Sequence, residues 1–143
     1  METGYEGAGK WPKRPPLRAS WLGRQGGPGR VQGVRQDAGR VTSAEIFAAL
    51  DMPVAQSVAE AEAHFPRHVP AFLPIDVLAP KMARLLSLRR ILGVRSSTHT
   101  LVKIIQPFHE PVLRLSSYTH SEYLEMLGQY FTTLAPAQRG DVL

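Results

Sequence analysis

The sequence predicts a mainly α fold: a small helical domain with a β-hairpin over about residues 99–117, preceded by a disordered basic N-terminal arm. Three observations predict it. Thr42-Ser43-Ala44-Glu45 and Thr119-His120-Ser121-Glu122 are both capping boxes, and each opens an apolar run at helical spacing. Pro53, Pro66, Pro80, Gly93 and Pro136 punctuate the chain at the ends of such runs. Nine of the 12 glycines, and an excess of basic over acidic residues equal to the whole net charge of +5, lie in residues 1–40. A chain of 143 residues fits one domain.

The first forty residues carry Lys10, Lys13, Arg14, Arg18, Arg24, Arg30, Arg35 and Arg40 against Glu2, Glu6 and Asp37. Their apolar content is thin, chiefly Trp11, Leu17, Trp21, Leu22, Val31 and Val34. Ordering a residue costs about 1–2 kcal/mol of backbone entropy, which such a composition does not offset by local burial. Residues 1–40 are therefore expected to form a flexible arm, 41–135 the folded domain and 136–143 a flexible tail. An Arg-rich front also raises a mitochondrial import signal. Glu2, Glu6 and the helix-breaking Gly26-Gly27-Pro28-Gly29 argue against it. No apolar run reaches the ~18 residues of a membrane-spanning helix. An intracellular location, nucleus or cytoplasm, is expected.

From Thr42 the chain should form a short helix through Leu50, broken at Asp51-Met52-Pro53, and then a second from Val54 to about Phe65. The Pro-interrupted stretch from Phe65 to Ala79 should be extended and packed against something. Pro80 suits the first turn of a helix running to Leu92, with Gly93 as its C-cap. Thr100-Leu101-Val102-Lys103-Ile104-Ile105 is β-branched and favours the first strand of the hairpin, with a helix over 98–106 as its competitor. In the last helix Tyr123, Met126, Leu127, Tyr130, Phe131 and Leu134 recur at steps of three and four, a stripe for the core or for docking.

The composition narrows the chemistry. Without cysteine there is no disulfide, thiol nucleophile or Cys-ligated metal centre. His64 and His68 stand four apart, but Pro66 between them removes the helical geometry that would point both at one metal. His109-Glu110 with Ser116 and Ser117 lacks the sharp Ser turn of a nucleophile and reads as a hairpin loop. Gly7-Ala8-Gly9-Lys10 lacks the strand, the spacing and the Ser/Thr of a phosphate loop. Residues 44–63 outline a helix-turn-helix, yet Val54 to Phe65 carries no Lys or Arg ahead of Arg67 and includes Glu60 and Glu62, a poor reader of DNA. No catalytic residue, metal ligand, cofactor or small-molecule substrate is expected.

Two binding features remain. Lys81, Arg84, Arg89, Arg90 and Arg95 make a basic helix and its exit. With a hairpin behind it, the order would match a winged helix. Arg14, Arg18, Trp21 and Arg24 give the arm cations interleaved with an indole, suited to a nucleic-acid backbone or to an acidic protein. The reading is a non-enzymatic accessory or adaptor subunit docking into a larger protein assembly. A winged-helix nucleic-acid-binding protein is the alternative.

Overall fold

The computed structural model describes residues 15–27, 29–37, 39, 41–105, 113–115 and 121–134. The mainly helical class holds, but a small parallel sheet lies at its centre. Strand β1 (Arg30–Gly33) pairs with β2 (Ala71–Pro74), with Arg30 opposite Ala71 and Val31 opposite Phe72. On the far side of β2, Phe72 N donates to Pro53 O (2.9 Å) and Ala55 N to Phe72 O (2.8 Å). β2 is thus the middle of three extended segments. All four of its residues are buried, as in strands covered on both faces.

Side chains alternate across a strand, so the register sorts the core into two layers. Val31 and Phe72 face helix α1 (Pro15–Arg24) and helix α2 (Ser43–Ala49), where Ala19, Ala44 and Phe47 join them. The Phe47 and Phe72 rings meet at 5.8 Å in a tilted pair. On the opposite face Ala71 and Leu73 pack with Ala55 and with Ala61 of α3 (Val58–Ala63). Val77 and Leu78 of α4 (Ile75–Leu78) close that layer.

The capping box at Thr42 forms as read: Thr42 N donates to Glu45 Oε2 (2.6 Å) and Glu45 N to Thr42 Oγ1 (3.2 Å). Thr42 Oγ1 also donates to Arg35 O (2.8 Å), fastening α2 to the chain leaving β1. The second helix is shorter than expected. Ser57 caps it through Glu60 N, so it begins at Val58 rather than Val54, because Pro53 to Ala55 are held by β2. The proline-rich stretch is extended where β2 forms and then turns into α4. Pro80 opens α5 (Pro80–Ser87), and α6 (Arg89–Leu92) continues it through Leu88 to Gly93. Gly93 has φ 71°, the left-handed C-cap that favours glycine.

Two expectations are corrected. The arm was drawn through residue 40, yet α1 and β1 lie within it and supply Ala19 and Val31 to the core. Local composition undervalues them because their partners are far along the chain. Gly23, expected in the arm, is a packing glycine: a Cβ there would stand 2.5 Å from His68 O. Arg14 lies outside the described residues. The first hairpin strand is instead helix α7 (Thr98–Ile104), with Thr98 and Val102 buried. The hairpin loop and most of its second strand fall outside the described residues.

The final amphipathic segment forms α8 (Ser121–Gln129) followed by a π turn (Tyr130–Leu134), while Thr119 of its capping box lies outside the described residues. No residue of α8 is buried, so Tyr123, Met126 and Leu127 of the stripe are not core, and Tyr130 and Phe131 beyond it are partly covered. Phe131 is half-buried, with Tyr130 edge-on at 5.0 Å and the Arg114 guanidinium 4.3 Å over its ring.

Two outcomes follow from this packing. A chain shortened to residues 41–143 loses β1 and should lose its cooperative thermal transition by circular dichroism, whereas a flexible arm would be dispensable. In urea denaturation Phe72→Ala should cost about 3–5 kcal/mol as a core phenylalanine. Phe131→Ala should cost clearly less, because its ring is only partly covered.

Candidate interaction surface

Between Asp76 and Glu110 the chain has no acidic residue, while Lys81, Arg84, Arg89, Arg90, Arg95 and Lys103 fall in that interval. Helices α5, α6 and α7 gather this run, since α5 packs on α4 and on α7. At 100° per residue Lys81, Arg84, Leu85, Leu88, Ile91 and Leu92 share one side of the α5–α6 rod. That side faces out: Leu85 is 51% exposed, Ile91 80% and Leu92 63%. Met82, Ala83, Leu86 and Arg89 are only partly covered, and no residue of α5 or α6 is fully buried. Val94 and Leu101 extend the exposed apolar surface beyond Gly93. The result is a strip of large aliphatic side chains with Lys81 and Arg84 at its N-terminal end. Contiguous apolar surface of this kind, rimmed by charge, marks interaction sites.

Lys103 on α7 lies within the same charge field. Burial first, and then the Arg95 charge, lower its ammonium below the ordinary lysine range. Ser96 N donates to His99 Nδ1 (3.2 Å), closing the turn that leads from Arg95 into α7. A buried polar chain anchors α7 to the sheet. Arg30 Nη2 donates to Gln32 Oε1 (3.2 Å), and Gln32 Nε2 donates to Val102 O (3.2 Å). Burial lowers the Arg30 guanidinium to about 10, with Glu62 opposing the shift. Sequence reasoning missed this bridge, because both residues sit in the segment it read as an arm. Their alternation with Val31 was the available signal. Arg35, also assigned to the arm, pairs with Asp76 Oδ2 (3.2 Å) and donates to Gln56 Oε1 (3.3 Å).

The expected binding residues divide between two places. Lys81, Arg84, Arg89, Arg90 and Arg95 follow one another along α5, α6 and the turn after them, with Lys81 and Arg84 on the side of the aliphatic strip and Arg90 on the opposite side. Arg18, Trp21 and Arg24 stand on α1, which packs on α2 and β1 instead. Trp21 is 61% exposed there. The winged-helix order is not formed among the described residues, since α7 replaces the first strand of the hairpin. His64 ends α3 and His68 adopts a left-handed backbone, φ 55°. No group of three or more His, Cys, Asp or Glu able to hold a metal occurs among the described residues. Nor is any described helix long and apolar enough to cross a membrane.

No protein-family model matches the chain. It is similar to the uncharacterized protein YbiB of Escherichia coli (strain K12), at 36% identity over 131 residues. That match takes in 91% of this chain and 41% of the relative, so the chain spans less than half of the relative's length.

Lys103 supplies a test of the surface electrostatics. Its folded-state pKa is depressed, so the folded protein binds fewer protons there than the unfolded chain. The cost of holding the ammonium charged applies below the folded pKa and disappears once pH exceeds the ordinary lysine value. Lys103→Met should therefore melt at or above the wild-type temperature at neutral pH. Its advantage should shrink as pH rises through that window, followed by differential scanning fluorimetry.

Proposed function

We propose that this chain is a non-enzymatic accessory or adaptor subunit that docks into a larger protein assembly through the α5–α6 face. The observation that carries the reading is the exposure of Leu85, Leu88, Ile91 and Leu92 on one side of a rod that leans on the domain only by its other side. Burial of a large aliphatic side chain contributes about 1.5–3 kcal/mol, so four of them left in water form a strong incentive to associate. The similarity to part of a longer protein supports the same reading: a segment matching 41% of its relative is a unit that, in the relative, adjoins further polypeptide.

A second reading has its own support in the acid-free run from residue 77 to 109 and its six cations. Such a one-signed surface suits the phosphate backbone of a nucleic acid. Protein docking is preferred because nucleic acid would satisfy the cations and leave the aliphatic strip wet.

Native extract is passed over the immobilised full chain, with and without nuclease, beside the variant Ile91→Asp/Leu92→Asp. Under the docking reading a defined protein partner is retained after nuclease and lost in the variant, whose melting temperature stays near wild type. Labelled DNA and RNA are titrated at low salt in parallel. If they bind with a log–log salt slope of about 0.7–0.9 per phosphate neutralised, and Arg89→Ala/Arg90→Ala lowers affinity and slope, the second reading replaces the first.

A further inference from the structure

The α5–α6 rod is apolar on two sides. Met82, Ala83 and Leu86 lie on the side that is partly covered. Leu85, Leu88 and Leu92 lie on the other, at steps of three and four, and fall within about 60° of one another around the axis. That spacing is the stripe by which a helix packs into a core, yet all three are exposed, with Ile91 beside them. A helix that is apolar around most of its girth is either a membrane span or a buried helix of a larger body. No described helix is long and apolar enough for the first. The sheet gives an independent sign of the second. It is parallel and has two strands among the described residues, whereas parallel sheets are built into broader bodies of about 4–6 strands covered on both faces. YbiB has the extra polypeptide such a body requires. Its match takes in 91% of this chain, so it includes the rod, and it leaves the greater part of YbiB outside.

We propose that the α5–α6 face is a seam between folded units, and that its occupant is a polypeptide unit equivalent to the part of YbiB outside the match. The inference rests on the docking reading of that face and names its partner. The chemistry of the face asks for folded protein. Leu85, Leu88, Ile91 and Leu92 gain only from a dry apolar cover, and of the cations on the rod Lys81 and Arg84 share their side while Arg90 points away. The matching face is therefore aliphatic along most of its length, with acceptors for Lys81 and Arg84 at one end. In YbiB the helix equivalent to α5–α6 is then an interior helix, closed by that protein's own further chain.

Carbene footprinting, which labels exposed side chains of any type, is carried out on this chain and on full-length YbiB, each as a whole protein and at several concentrations. Residues 85–92 should take up label readily in this chain, and the aligned segment of YbiB should be strongly protected at every concentration. An aspartate pair tests the seam energetically. Ile91→Asp/Leu92→Asp should leave the melting temperature of this chain near wild type, while aspartates at the two aligned positions of YbiB should lower that protein's melting temperature by several degrees, because they place carboxylates in a closed apolar contact. Equal labelling of the segment in both proteins, or a YbiB pair that melts unchanged, overturns the inference. So does protection of 85–92 in this chain alone: at every concentration it would mean that the chain covers its own strip, and only at high concentration that a second copy does. The docking reading fails separately. If the YbiB segment is open but native extract still yields a partner that Ile91→Asp/Leu92→Asp loses, that reading stands and only the occupant named here is wrong.

Discussion

Parallel pairing of residues 30–33 with 71–74 is the constraint on which the rest of the structure depends. Two parallel strands cannot be joined by a tight turn, so the chain between them must leave the sheet and return. It does so as α2 and α3, and the register assigns one helix to each face: Phe47 meets Val31 and Phe72, while Ala61 meets Ala71 and Leu73. β2 in turn passes directly into α4, and α4 carries α5. The position of the exposed basic rod is therefore inherited from four residues of sheet.

The polar groups follow the same logic. Arg30 and Gln32 share the face of β1 that does not contain Val31, and a buried guanidinium there is costly unless its donors are used. Gln32 accepts from it and passes a hydrogen bond to the α7 backbone, so the polar chain sets where α7 lies against the sheet. At the other end of β1, Arg35 reaches Asp76 and Gln56. These contacts join β1 to segments more than twenty residues downstream. Their net worth is modest where they are exposed, but they specify register and orientation as well as adding stability.

This frame explains why so much aliphatic surface is left on α5 and α6. A two-stranded sheet with one short helix layer on each side has room to cover the residues beside it and little more. The layers close with α4, and the rod beyond it keeps only a partial footing through Met82, Ala83 and Leu86. Helix α8 stands in the same condition, and in the π turn after it the half-buried Phe131 is held by Arg114 and Tyr130. The apolar strip on α5–α6 and the exposed Leu124 and Met126 of α8 are a single consequence: the domain's core is too small to absorb its amphipathic elements.

The sequence by itself determined the features whose causes are local. The Thr42 capping box, Pro80 at a helix start and the Gly93 C-cap are all decided within a few residues, and each stands as read. The basic character of 81–95 and the amphipathic spacing of 121–134 were legible for the same reason. Tertiary structure alone decided what depends on distant partners. Val31 and Gln32 become strand only because Phe72 and Val102 wait some forty and seventy residues away, so a composition rich in Gly and Arg concealed them. The β-branched run is helical as far as Ile104, with Ile105 extended: α7 packs against α5 and Val102 is buried, and burying such a side chain is worth about 1.5–3 kcal/mol against a strand propensity that spans only about 1 kcal/mol. Whether an amphipathic stripe faces a core or faces water is likewise invisible in its periodicity, which is identical in both cases; only the volume of core available settled it.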